Sequence, residues 1–182
     1  MEMNLPNKLT IFRACMIPFF VFFMEVNVLG DATKYVAVAI FIIASITDAL
    51  DGKIARKYNL VTNFGKFMDP LADKLLVCAA LICLVGVIPS WIVILIISRE
   101  LIISGFRTIA ADNGVVIAAS YWGKFKTIFQ MVMIIWLIID LPFTFWYVIG
   151  QVLIYISLAL TVVSMLDYVI KNKAVLSENT NK

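Results

Sequence analysis

The stretch Asp48-Ala-Leu-Asp51-Gly52-Lys-Ile-Ala55-Arg56, followed after eight residues by Gly65-Lys-Phe-Met-Asp69-Pro-Leu-Ala-Asp73, sets four carboxylates into a very greasy chain. Apolar residues fill 63% of the 182 positions and charged residues only 15%, with a mean hydropathy of +0.99. Soluble domains run nearer about half apolar and about a quarter charged. One small core does not hide this much apolar surface, so lipid is the expected solvent for most of the chain. Length allows one domain.

Working outward, apolar runs of spanning length fall at roughly 11–29, 35–52, 70–87, 89–108, 125–139 and 142–170. A spanning helix needs about 20 such residues, and the last run is long enough to tilt or to extend into water. The expected fold is all-α: a polytopic membrane protein, a bundle of six transmembrane helices with both termini cytoplasmic. Residues 1–170 form the membrane domain, and the polar tail 171–182 is expected to be disordered. Lys8 followed by an apolar run imitates a signal peptide, but no small-residue cleavage site follows, so the run is read as a retained first span. Six spans put nearly all Lys and Arg on the side of the termini and the aspartates. The other side receives Lys34 alone, with Arg99 inside the fourth span. This asymmetry makes the aspartate side cytoplasmic. A five-span alternative, with 125–139 lying in the interface, divides the basic residues less cleanly.

Histidine is absent, which removes a histidine base, a Ser/His/Asp triad and a histidine–zinc site together. Cys15, Cys78 and Cys83 lie in apolar runs with no metal-motif spacing and read as buried small residues. Trp91, Trp122, Trp136 and Trp146 read mostly as interfacial anchors. Catalysis, if present, falls to carboxylates, lysine, arginine or a metal.

The aspartates supply that chemistry. Asp48 and Asp51 stand at i, i+3 near the end of the second span, and Asp69 and Asp73 at i, i+4 near the start of the third. Each pair shares a helix face. Pro70 suits a first helical position with Asp69 as its N-cap, leaving a connection from 52 to 68. Carboxylates gathered like this repel unless a cation lies among them. All-oxygen ligation favours two divalent metal ions, Mg²⁺ or Mn²⁺, over zinc, in an arrangement suited to phosphoryl displacement. The plain alternative, interfacial charges at helix ends, suits Asp69. It suits Asp48 and Asp51 poorly, because the dipole at a helix C-terminus disfavours them. Gly52, Ala55 and Gly65 are small enough to admit a ligand to the backbone, and Arg56 can grip a phosphate. A lone Gly52 would otherwise read as a helix end.

These residues match the pattern D-x2-D-G-x2-A-R-x8-G-x3-D-x3-D without departure, and the chain resembles the CDP-alcohol phosphotransferase family. The signature covers 26 residues; six spans suit the family over the rest. The resemblance implies transfer of a substituted phosphate from a CDP-linked donor to an alcohol, with release of CMP. It implies that Asp48, Asp51 and Asp69 hold two metal ions with help from Asp73. Asp73 would also be the base that deprotonates the attacking hydroxyl, and Gly52, Ala55, Arg56 and Gly65 would line the CDP site. A homodimer is implied by the resemblance alone.

The acceptor is marked more weakly. Asn4-Leu-Pro-Asn7-Lys-Leu-Thr10-Ile-Phe-Arg13, Ser98-Arg99-Glu100 through Arg107, and Gly123-Lys-Phe-Lys126-Thr127 are similar to the bacterial branch that joins CDP-diacylglycerol to glycerol 3-phosphate. Arg107, Lys124 and Lys126 lie on the cytoplasmic side and suit an acceptor phosphate; the alternative is positive-inside anchors, which suits Lys124 equally, whereas Arg107 near its span's end is better placed as a ligand. Arg99 and Glu100 read as a structural pair to polar groups in the bundle. Thr10 and Arg13 stand where they can close over the nucleotide, Arg13 having the alternative of snorkelling to headgroups. Inositol phosphate, serine and phosphatidylglycerol are the other acceptors to weigh. A divalent-cation transporter is the other class. It would need acids in a path open to both sides, whereas the outer half offers only Glu25, Asp31 and Asp140.

Overall fold

The computed structural model describes residues 5–57, 63–112 and 120–171. Among the described residues six helices follow one another: α1 (Leu5–Glu25), α2 (Ala32–Lys57), α3 (Asn63–Cys83), α4 (Ser90–Asp112), α5 (Tyr121–Ile139) and α6 (Thr144–Lys171). There is no strand among the described residues. The all-α expectation holds in helix number and order. The tail 172–182 lies outside the described residues.

Three helical stretches, Asn7–Glu25, Tyr121–Ile139 and Thr144–Lys171, are long and apolar enough to cross a membrane. The apolar part of α2, Ala32–Thr47, is shorter, and in α4 the run is interrupted by Arg99, Glu100 and Arg107. Outward-facing positions carry large apolar side chains such as Phe12, Phe19, Ile94, Phe145 and Leu166, a surface that suits lipid rather than water.

Two helix boundaries differ from the sequence expectation. α2 runs on to Lys57 and α3 begins at Asn63, so only residues 58–62 separate them. Asp48 and Asp51 therefore stand well inside α2, Gly52 does not end the helix, and Asp69 is not an N-cap. Pro70 falls in the second turn of α3 rather than its first. The segments beside the aspartates are rich in Lys, Ala, Arg, Phe and Met, whose helix propensities are adequate. A proline beyond the first turn forfeits one helical hydrogen bond and crowds the preceding turn, a cost of roughly 3 kcal/mol that the rest of the helix has to offset. Lys53, Arg56 and Lys57 then occupy the last turns of α2, where positive charge suits the helix dipole.

The chain divides into two compact units. One holds Met1–Val85 with Leu137–Ile139, the other Gly86–Trp136 with Asp140–Lys182. In the first, α1 packs along both α2 and α3. Its core is Ile17 and Phe20 of α1, Ala37, Phe41 and Ala44 of α2, and Ala72, Leu76 and Ala80 of α3. Alanines on two of the three helices let backbones approach closely. The Phe20 and Phe41 rings meet at 5.8 Å.

In the second unit α4 packs on α6. The inward stripe of α6 is Gly150, Ile154, Ser157, Thr161, Ser164 and Tyr168. Thr161 and Ser164 donate to the carbonyls of Ser157 and Thr161 at 2.7 and 3.0 Å, so two of these hydroxyls are satisfied by their own helix. The α5–α6 turn closes on a tryptophan clasp. Trp136 and Trp146 stack at 3.5 Å, and each indole N–H donates to the other's backbone carbonyl, at 3.0 and 3.2 Å. Asp140 adopts a left-handed conformation (φ 39°) at the end of α5 to make this turn. These two tryptophans thus serve each other, whereas Trp91 and Trp122 are exposed as anchors would be.

Trp136→Phe keeps a stacked ring but loses one indole hydrogen bond, which is worth about 1 kcal/mol. The expected result is a lower thermal-unfolding midpoint in detergent together with loss of the indole exciton couplet in circular dichroism.

Candidate active site

The first unit changes character along its inner stripes. On α1 the buried positions run Asn7, Thr10, Arg13, Ile17, Phe20. The spacing keeps them on one face, and its N-terminal half is polar. Arg13 and Thr10 are wholly buried, and Asn7, Thr10, Arg13 and Asp73 each have an interaction partner. A buried arginine is stable only against compensating charge or acceptors, so the surroundings of Arg13 must be anionic or strongly polar.

The helix register brings the four aspartate positions to the same end of the unit as Arg13. α1 and α2 form a hairpin through residues 26–31 with Phe20 across from Phe41. Arg13 lies seven residues before Phe20 and Asp48 seven after Phe41. At about 1.5 Å per residue both are roughly 10 Å from the ring pair, towards the same end. Thr10 is matched in this way with Asp51. α3 returns parallel to α1, with Cys83 against Glu25; counting back places Asp69 and Asp73 at the levels of Ile11 and Cys15. The polar half of α1 and all four aspartate positions therefore occupy one end of the three-helix unit.

Helix periodicity aligns them further. Positions 48, 51 and 55 continue the buried stripe Phe41–Ala44 of α2, and Gly52 adjoins it. Positions 69 and 65 continue the stripe Ala80–Leu76–Ala72 of α3. Asp73 itself is half-buried. The side chains of Asp48, Asp51, Gly52, Ala55, Arg56, Gly65 and Asp69 lie outside the described residues, so their backbone positions on α2 and α3 are what the structure provides. Among the described residues no three His, Cys, Asp or Glu side chains stand together. The residue types at these helix positions are carboxylates, and all-oxygen donors of that kind fit a hard divalent cation such as Mg²⁺ or Mn²⁺. Asn7 figures in the sequence only as part of the N-terminal motif, without a role of its own. Its signal was the i, i+3 spacing to Thr10, which puts it on the same buried stripe.

The three expected acceptor residues all lie in the second unit, in unlike surroundings. Lys126, 1% exposed, is ion-paired with Glu100 of α4. The same Glu100 oxygen receives Arg99 Nη1 at 3.3 Å. Arg107 is solvent-facing on α4, within electrostatic range of Arg99 and Tyr168. Lys124 is exposed, its ammonium 5.5 Å from the Tyr121 ring. Two residues apart on a helix, Lys124 and Lys126 face different sides, and only Lys126 joins the internal cluster. Ser120 caps α5, accepting from the Gly123 N–H at 3.1 Å. A methyl added at Gly123 would meet Ser120 Oγ at 3.5 Å and Arg99 Nη2 at 3.7 Å. One turn beyond Lys126, Gln130 is also buried, with neither amide atom hydrogen-bonded. Its signal in sequence was the i+4 spacing from Lys126.

Residues 3–163 match the model of a family described as CDP-alcohol phosphatidyltransferase. The chain is similar to the CDP-diacylglycerol–glycerol-3-phosphate 3-phosphatidyltransferase of Bacillus subtilis (strain 168), 46% identical across 93% of this chain and 95% of the relative. Proteins of the same name from Haemophilus influenzae (strain ATCC 51907 / DSM 11121 / KW20 / Rd) and Escherichia coli (strain K12) are each 40% identical. The first match covers 98% of both chains, the second 92% of this chain and 94% of the relative.

Gly123→Ala makes only ordinary contacts and gains helix propensity, so stability is expected to hold or rise by up to about 1 kcal/mol. Gly123→Leu, reaching further, is expected to displace the Arg99 guanidinium and lower the unfolding midpoint. Thermal scans of the two variants side by side check this.

Proposed function

Because the chain belongs to the CDP-alcohol phosphatidyltransferase family, we propose that it transfers a phosphatidyl group from CDP-diacylglycerol to glycerol 3-phosphate. The products are phosphatidylglycerophosphate and CMP, and the process served is phospholipid biosynthesis. The observation that carries the reading is the full aspartate signature in a chain whose near-full-length relatives bear that enzyme name.

In this reading Asp48, Asp51, Asp69 and Asp73 hold two divalent ions, which when bound neutralise pyrophosphate charge and improve CMP as a leaving group. Thr10, Gly52, Ala55, Arg56 and Gly65 receive the CDP moiety. The glycines and alanine leave room at the helix backbone, and Arg56 supplies a planar phosphate grip. Asp73 takes the proton from the acceptor hydroxyl, whose oxygen attacks the phosphorus bearing the diacylglycerol in line with departing CMP.

The acceptor's phosphate is assigned to Arg107 and Lys126, with Lys124 as an outer attraction. Arg99, Glu100 and Lys126 sum to one excess positive charge, and Arg107 adds another. Partly buried positive charge in excess favours an anion, which supports glycerol 3-phosphate over the neutral acceptor serine. Six membrane spans, both termini and the aspartates in the cytoplasm, and a homodimer complete the proposal; the basic asymmetry of the sequence supports the orientation.

Purified protein with CDP-diacylglycerol and Mg²⁺ is expected to release CMP when glycerol 3-phosphate is added, and not with serine, inositol phosphate or phosphatidylglycerol. Chelation of divalent ions is expected to stop release. Asp48→Asn or Asp73→Asn is expected to lower it at least about a hundredfold, as for loss of a key electrostatic group. Turnover with another acceptor instead would keep the aspartate chemistry and refute the assignment of Arg107 and Lys126.

A further inference from the structure

We propose that Glu100 is a positioning residue for the acceptor's phosphate: its carboxylate holds the Lys126 ammonium and the Arg99 guanidinium in the places from which they grip that anion. The proposal rests on the reading that this cluster receives the acceptor. It adds a residue of the wrong charge for phosphate, acting through its neighbours.

Three observations converge on it. Glu100 Oε1 takes both cations at once, Lys126 from α5 and Arg99 from its own helix at 3.3 Å. The three side chains are only 1%, 11% and 17% exposed for Lys126, Arg99 and Glu100, so water screens them little. Gly123 lies beside the guanidinium's other terminal nitrogen, an added methyl standing 3.7 Å from Arg99 Nη2, so Arg99 has Glu100 at Nη1 and the start of α5 near Nη2.

The charges assign the role. A carboxylate repels a phosphate dianion, so Glu100 is no phosphate ligand. Two like charges close together in a poorly screened site repel, and a shared carboxylate cancels that repulsion while leaving the cluster net positive. One oxygen accepts a single proton donor from each cation. An ammonium has three N–H groups and a guanidinium five, so neither cation exhausts its donors on Glu100. The cluster is thereby organised before the anion arrives, and pre-organised donors bind more tightly than ones that must first be gathered.

The test is a split between kinetic constants in the full-length protein, with CDP-diacylglycerol, Mg²⁺ and glycerol 3-phosphate. Glu100→Gln is expected to raise KM for glycerol 3-phosphate by about tenfold or more, while kcat and KM for CDP-diacylglycerol stay within about threefold. Glu100→Asp, which keeps the charge, is expected to recover most of the loss. In a Lys126→Met background, where acceptor KM is already raised, adding Glu100→Gln is expected to do little more, since both changes remove one unit.

If Lys126→Met raises acceptor KM but Glu100→Gln leaves it within about twofold, Glu100 has no positioning role and the acceptor site stands. If Glu100→Gln lowers kcat and raises both KM values together with a fallen unfolding midpoint, and Glu100→Asp does the same, Glu100 is structural and the proposal is wrong. If Lys126→Met and Arg107→Gln both leave acceptor KM unchanged, the acceptor assignment itself fails and takes the proposal with it.

Discussion

A charged side chain inside an apolar bundle has to find its counter-charge inside the bundle, and the first unit is organised around that requirement. The inner stripe of α1 carries Arg13, wholly buried, below Ile17 and Phe20. Such a charge is stable only where the neighbouring helices supply opposite charge or hydrogen-bond acceptors at the same height. The α1–α2 hairpin, registered by Phe20 on Phe41, brings the Asp48 position to that height, and α3 brings Asp69 and Asp73 close to it. The apolar part of the same stripes, with its alanines, sets how closely the helices approach. Packing at one end thus fixes the spacing of the charges at the other.

The second unit meets the same requirement with a different set of groups. Lys126, Glu100 and Arg99 satisfy one another across two helices. Around them the fold closes its ends locally. Ser120 caps the start of α5, the tryptophan clasp shuts the turn into α6, and hydroxyls of the α6 stripe bond back to their own helix. These local satisfactions leave the charged cluster as the chief polar feature between α4 and α5.

Helix continuity matters to the first unit. With α2 running to Lys57 and α3 starting at Asn63, both halves of the aspartate signature sit on regular helix. Spacings of three and four residues then translate directly into shared faces. Read as loop, the residues around Gly52, Arg56 and Gly65 would have had no defined direction. On helix, positions 48, 51 and 55 form a single line, with Gly52 beside it.

Much of this was legible before any coordinates. The order of the helices and the aspartate spacing are properties of one segment at a time, set by hydropathy and the helical period; the helix number and order hold among the described residues, with three stretches long and apolar enough to cross a membrane. The boundaries at Gly52 and Pro70 were misread because glycine and proline usually punctuate helices, and nothing local shows that these helices tolerate them. Trp136 and Trp146 read as anchors because a tryptophan's partner is invisible until the turn brings the rings together. The pairing of Lys126 with Glu100, 26 residues away, was equally hidden, as was the burial that separates Lys126 from Lys124. Composition and period decide which face of a helix is apolar and where its charges sit along it; which helix lies opposite, and so which charge answers which, is decided only when the helices pack.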